Sequence, residues 1–351
     1  MRMAIIRRKT DAKSHHVSGR PRQGAVDTEA MLSDNSPDMP LSKHSVEKII
    51  LAEPRGFCAG VDRAVEAVRE ALRMFGRPLY VRHQIVHNRF VLERLETEGA
   101  VFVENLDQVP EGQRVIFSAH GVAPAEWERA SQRGLRVIDA TCPLVTKVHL
   151  EVERYAGEGC TVILVGHAGH EEVKGTLGVA PGKVLLVGTV EEAERLTVPD
   201  PARVAAVTQT TLSVDDTRDI MATLKRRFPA IRTPKTDDIC YATQNRQNAV
   251  KELVKLSEAV LVVGSKQSSN ANRLVEVART RGGRAFLVDS LADVEPAMLE
   301  GVRSLGLTAS ASSPEWLVEE IIGAFAREGA VVELLSVAKE RVHFPLPSPA
   351  N

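Results

Sequence analysis

Three of the four cysteines in this 351-residue chain occupy the same kind of place. Cys58 follows the apolar run KIILAEPRGF and opens a helix-like stretch. Cys142 follows RVIDAT and precedes Pro143, and Cys240 follows TPKTDDI and precedes YATQNRQNAVKELVKL. Unpaired N–H groups at a helix start, and the positive end of its dipole, favour thiolate, which is the form that iron and zinc bind. Each cysteine taken singly reads as a packed core thiol. Their recurrence, at separations of 84 and 98 residues, points instead to one shared metal site. A structural zinc site usually closes with four ligands, often using a C-x-x-C pair, and the sequence has no such pair. Three scattered thiolates suit an iron–sulfur cluster with one iron left open for substrate. Cys160, at the start of CTVILVGH, reads as a small core residue.

A second set of residues sits where strands should end, the usual place for ligands in open α/β sheets. It comprises His87 in QIVHN, His120 in SAHG, and His167, His170 and Glu172 in GHAGHEEVKG. Thr210 and Thr211 in TQTT belong to it, with Ser268, Ser269 and Asn270 in GSKQSSNANR and Ser310, Ser312 and Ser313 in TASASSPEW. Ser-rich turns that lead into helices offer N–H groups and hydroxyls to an oxyanion such as phosphate. Ser313 and Ser268 also read as plain N-caps, and Ser213 as the head of a capping box. Glu172 is a candidate general acid, or equally a solvated carboxylate. His83, inside its strand, and His149, on a helix face, read as packing or surface residues. No Walker A or G-x-G-x-x-G pattern argues for a nucleotide.

The elements that must carry these residues alternate. Short β-rich runs (KIILAEP, LYVRHQIV, RVIFSAHG, RVIDATC, TVILVGH, RVAAVTQT, AVLVVGS, RAFLVDS, SLGLTAS) are separated by amphipathic stretches such as Val61–Phe75 and Leu144–Tyr155. This is the pattern of an α/β protein with mainly parallel sheets. The cysteine spacing divides it into similar modules at 47–142, 143–237 and 238–325, followed by a C-terminal segment, 326–351. Residues 1–46 read as a disordered tail; seven Lys/Arg against one acidic residue in 1–26 suit a plain extension or a transit peptide.

Composition excludes several classes. The 45 basic and 46 acidic residues nearly cancel, giving no field for nucleic acid or an anionic membrane. No apolar run approaches the roughly 20 residues of a membrane helix. Four cysteines are too few for a disulfide scaffold and suggest a reducing, cytoplasmic setting.

The strings PRGFCAGV, HNR, SAHGV, DATCPLVTKVH, GHAGHEEV, TQTTLSVDDT, DDICYATQNRQ and GSKQSSNANRL, in this order over about residues 48–325, closely resemble the 4-hydroxy-3-methylbut-2-enyl diphosphate reductases. These enzymes close the methylerythritol phosphate route to isoprenoids. The resemblance implies three α/β modules in a pseudo-threefold trefoil around a 4Fe–4S cluster held by Cys58, Cys142 and Cys240. It implies that His87, His120, Ser268, Asn270 and Ser312 bind diphosphate, that His170 is a third active-site histidine with a catalytic and substrate-binding role, and that Ser269 and Thr211 line the site. Glu172 would deliver a proton through Thr210. Electrons would come from reduced ferredoxin or flavodoxin, and the products would be isopentenyl and dimethylallyl diphosphate. Departures from the family pattern are small: GHEEV has no proline before the glutamate, YATQNRQ lacks a second threonine, and TASASSP replaces a glycine-containing version. Other readings of three cysteines in three modules are a quinolinate synthase-like enzyme, an iron–sulfur redox sensor and a zinc-binding structural protein.

Overall fold

A computed structural model of the chain describes residues 5–7 and 46–348. The described residues form an α/β fold with three separate sheets, each built on parallel strands. The first sheet runs Ala100–Val103, Leu79–Arg82, Arg114–Phe117, Arg136–Asp139, and the second Val184–Val187, Thr161–Val165, Val204–Thr208. The largest runs Ile5–Arg7, Val331–Ser336, Lys48–Glu53, Ser304–Ala309, Ala259–Val263, Ala285–Val288; only Ile5–Arg7 is antiparallel to its neighbour.

Both faces of each sheet are covered, which is why the strands read as near-continuous apolar runs. In Ala259–Val263 every residue is buried. Leu261 and Val263 pack into one core with Leu317, Val318 and Ile321; Val260 and Val262 face the other with Val250, Leu253 and Leu274. The second sheet is similarly flanked by cores centred on Ile163 and Val165, and on Val162 and Leu164. Cys160, just before that sheet's central strand, is buried in the latter core beside Val148, Val152 and Tyr155, as expected.

Two expectations about organisation are corrected. The strand Lys48–Glu53, assigned to a first module at 47–142, hydrogen-bonds between Ser304–Ala309 and Val331–Ser336. The 326–351 segment thus supplies a sheet strand, and the largest sheet pairs a strand from near each end of the described chain. The apolar run KIILAE alone could not say which sheet would claim it, because register and partner are long-range properties. Of the tail 1–46, Ile5–Arg7 pair with Glu333–Leu335 instead of being disordered; residues 1–4 and 8–45 lie outside the described residues. The strands Ala100–Val103, Val184–Val187 and Val331–Ser336 were not anticipated. Two of them are short edge strands of four residues, too brief to show a period.

Candidate functional site

Each of the three cysteines is the N-cap of a helix, with extended backbone angles. Cys58 caps Ala59–Phe75, Cys142 caps Pro143–Gly157 and Cys240 caps Tyr241–Leu256. The first of these helices forms because Ala64, Val65, Val68 and Ala71 make a buried stripe, with Asp62 in the first turn and Arg73 in the last. It stops at Gly76, whose φ of 77° is one that side-chain-bearing residues rarely adopt. Pro143 sits at the first position of its helix, where its missing N–H costs nothing. No strand leads into Cys240, unlike the other two. The chain arrives from an isolated bridge between Arg232 and Ala205, through a loop.

That loop is pinned from the Cys142 helix. Lys147 donates from Nζ to the carbonyls of Thr236 at 2.8 Å and Asp237 at 2.9 Å, and pairs with Asp238 at 3.2 Å. The other carboxylate oxygen of Asp238 accepts from Thr208 N–H at 3.0 Å.

The same linkage recurs at all three cysteines. Cys142 N–H donates to Ala119 O at 3.0 Å, Cys240 N–H to Thr210 O at 3.0 Å, and Cys58 N–H to Ala311 O at 3.3 Å. Each acceptor lies in a polar loop beyond a strand: Ala119 next to His120, Thr210 itself, Ala311 next to Ser312. The cysteine turns and the polar loops are therefore one scaffold. Cys58, Cys142 and Cys240 line a single cavity of about 110 Å³ together with His87, His120, His170, Glu172, Thr210, Thr211, Ser268, Ser269, Asn270 and Ser312. Every residue expected at the site by the resemblance is in its wall.

His87 and His120 stack with ring centroids 4.4 Å apart, and His170 meets both edge-on at 5.7 Å. Burial holds all three imidazoles below their usual pKa, His170 at about 4, with the Glu171 carboxylate opposing the shift at His87 and His170. His170 also caps the Glu171–Leu177 helix, its Nδ1 accepting from Glu172 N–H at 3.1 Å. The neutral ring therefore carries its proton on Nε2. Ser268 caps Ser269–Thr280 and accepts from Ser312 Oγ at 3.3 Å. Thr211 and Ser269, beyond strands of two different sheets, share a hydroxyl contact of 3.1 Å.

Glu172 is not a solvated carboxylate. It is 3% exposed, and Thr210 serves both its oxygens: the N–H reaches Oε1 at 2.7 Å and the hydroxyl reaches Oε2 at 2.9 Å. Loss of hydration outweighs these two bonds and lifts its pKa to about 7.

The thiols also behave differently from expectation. The helix starts do donate to them, but burial dominates, and the Cys142 and Cys240 thiols are pushed up to about 12 and about 11. Each is raised further by a neighbouring cysteine, so as thiolates they would repel one another. Buried, mutually repelling sulfurs fit a cationic centre that makes deprotonation favourable. Gly60 keeps a side chain from crowding two of the thiols: a Cβ there would stand 2.6 Å from Cys142 Sγ and 3.9 Å from Cys58 Sγ. Among the described residues no His, Cys, Asp or Glu trio is arranged for a single metal ion. In the same cavity, both polar side-chain atoms of Asn270 are buried without a partner among the described residues, and its Nδ2 is a donor that suits an oxyanion.

The family described as LytB protein matches residues 49–326. The chain belongs to this family. Among LytB relatives, a 4-hydroxy-3-methylbut-2-enyl diphosphate reductase of Azoarcus sp. is 56% identical over 301 residues, covering 86% of this chain and 96% of its own. The second such reductase of Burkholderia mallei is 54% identical over 305 residues, covering 87% and 94%. In structure, the E-1-hydroxy-2-methyl-but-2-enyl-4-diphosphate reductase of Plasmodium falciparum superposes with a TM-score of 0.84 at 40% identity, covering 86% of this chain and 96% of its own.

Three other polar residues singled out in the sequence lie outside this wall. His83 is beyond the end of Leu79–Arg82, not inside it, at φ 56°, and pairs with Glu104 at 2.8 Å and Glu171 at 3.1 Å. His167 Nε2 faces Arg273 at 3.1 Å, away from the cavity wall. Ser313 is not an N-cap, since Pro314 holds that position; its hydroxyl bonds to Val263 O at 2.8 Å and to Ser310 at 2.9 Å. The cavity also contains residues not anticipated, notably Gly60, Tyr241 and Phe344. Tyr241 adjoins Cys240 and could have been suspected. Phe344 lies far beyond the last helix and gives no signal in the sequence.

Proposed function

We propose that this LytB-family protein reduces 4-hydroxy-3-methylbut-2-enyl diphosphate to isopentenyl and dimethylallyl diphosphate, the terminal step of the non-mevalonate pathway. The observation that carries the reading is the single cavity in which three N-capping cysteines face a buried, Thr210-bound Glu172 and three clustered histidines. Cys58, Cys142 and Cys240 would hold a 4Fe–4S cluster, leaving one iron without a ligand from this chain. When bound, that cluster supplies two electrons, one at a time.

The remaining chemistry belongs to side chains. His87, His120, Ser268, Asn270 and Ser312 would take the diphosphate. Neutral imidazoles and hydroxyls can donate to it without a fixed cation, and Asn270 Nδ2 would gain the acceptor it lacks. Glu172, protonated below about pH 7, would give its proton to the departing hydroxyl oxygen, which leaves as water. The allyl fragment, carrying the two electrons, would take a second proton from solvent at either of two carbons. Thr210 holds the carboxyl still and hands the proton on; His170, Thr211 and Ser269 shape the pocket around the allyl chain. Reduced ferredoxin or flavodoxin is the proposed electron donor. A cytoplasmic location is part of the same proposal, since thiols meant for iron need a reducing compartment. Among the described residues no helix is long and apolar enough to cross a membrane.

The test is anaerobic purification, iron and sulfide analysis, then addition of the allylic diphosphate with a reduced donor. The reading expects iron and sulfide in equal amounts and both five-carbon diphosphates as products. A chain with zinc and no sulfide, or a loaded cluster that leaves the diphosphate unchanged, overturns it.

A further inference from the structure

The string NRQ in YATQNRQ has no part in the chemistry above, yet its three side chains reach three different segments. Arg246 is fully buried, an unusual state for a guanidinium. It donates to Gly56 O from Nε at 3.1 Å and from Nη2 at 2.6 Å, and to Phe57 O at 3.4 Å. These carbonyls belong to the turn that delivers Cys58. Gln247 donates to Leu212 O at 2.9 Å, in the loop that carries Thr210 and Thr211. Asn245 and Arg246 both donate to Glu340 Oε1 at 3.0 Å.

Glu340 lies in the segment that follows the last strand. Four residues on, Phe344 enters the wall of the cysteine cavity, and the next carbonyl, Pro345 O, accepts from Arg63 Nε at 2.8 Å. Arg63 also donates to Thr141 O at 2.9 Å, immediately before Cys142. The segment is thus tied to the approaches of both Cys58 and Cys142 by two arginines, with an aromatic ring set between the ties.

We propose that the Arg246–Glu340 pair positions the Cys58 turn and fixes the C-terminal segment Val337–Ser348 as a wall of the cluster site, with Phe344 shielding the cluster from solvent. The inference rests on the cluster reading above. A guanidinium fork suits the task because it meets two adjacent carbonyls at once and keeps its charge when buried. Glu340 is the counter-charge without which a buried Arg246 would be destabilising. Arg246 is a positioning residue, since it touches the peptide before the ligand and not the ligand itself.

The experiment uses the full chain, reconstituted anaerobically, with the visible cluster absorbance followed after exposure to air. Removing both charges, in the double variant Arg246→Met with Glu340→Met, leaves no unpaired buried ion. A purely structural pair predicts that this variant regains the parent's apo melting temperature and the parent's cluster lifetime together. The positioning role predicts a parent-like melting temperature with a lifetime shortened about tenfold or more, the factor that one lost charge-assisted hydrogen bond represents. A parent-like lifetime in the double variant overturns the role of Arg246. Should that variant not fold, Arg246→Lys decides, because it keeps the charge beside Glu340 but lacks the fork; a parent-like lifetime again overturns the role. Phe344→Ala should bleach severalfold faster without change in melting, and unchanged bleaching overturns the wall. If the parent itself takes up no iron and sulfide, no variant shows the absorbance; that result sinks the cluster reading and this inference with it.

Discussion

Thr210 grips Glu172 at both oxygens, by its N–H at 2.7 Å and its hydroxyl at 2.9 Å, while its own carbonyl accepts from Cys240 N–H at 3.0 Å. One residue thereby fixes the proposed acid relative to a proposed cluster ligand. Most of the predictions below follow from that linkage.

Replacing Glu172 by Gln keeps the size and the two contacts with Thr210 but removes the proton. Iron and sulfide content and diphosphate binding should match the parent, while turnover falls by about 10²–10⁴, the usual contribution of a positioned general acid. Steady-state kinetics beside calorimetric titration with the substrate would check this. Parental turnover would remove Glu172 from the mechanism.

The pH profile should lose activity on the alkaline side. Glu172 is an acid only while protonated, and its folded-state pKa is about 7 against 4.5 for an ordinary carboxyl. Because the pKa is raised by folding, the associated stability is fully present below 4.5 and is lost as pH climbs toward 7. The total is roughly 3 kcal/mol. Denaturant melts of parent and Glu172→Gln across this range should converge at low pH and diverge above it, with the variant the less pH-sensitive.

Thr210→Val removes the hydroxyl bond to the charged carboxylate. That bond lowers the Glu172 pKa, so its loss should move the alkaline limb to higher pH while slowing turnover at the optimum. A limb that stays in place would show that another group sets it.

Gly60→Ala would bring a methyl to 2.6 Å from Cys142 Sγ, closer than such contacts are found. The apo chain can shift a side chain to accept it, but a filled site cannot. Iron and sulfide per chain should drop severalfold after reconstitution, with a near-parental far-ultraviolet circular dichroism spectrum.

Cys160 separates packing from ligation. Its thiol is buried in the core with Tyr155 and Val162, away from the cavity. Cys160→Ala should cost about 1 kcal/mol of stability and leave the visible absorbance intact. Cys58→Ala, Cys142→Ala and Cys240→Ala should each abolish it.

The sequence alone determined the local facts: helices that begin at Cys58, Cys142 and Cys240, strands long enough to show an apolar run, and the polar types waiting beyond them. These are set by capping, periodicity and turn chemistry within a few residues, so they are readable in one dimension. Tertiary structure decided the rest. It gave Lys48–Glu53 to the sheet of Ser304–Ala309, because strand partnership depends on which faces remain to be covered. It pushed the Cys142 and Cys240 thiols up and lifted Glu172 to about 7, because hydration is lost only when loops from three sheets close over one cavity. It also brought Phe344 and Glu340 to the site from a segment without periodicity, held by a buried Arg246 whose partners are up to 190 residues away.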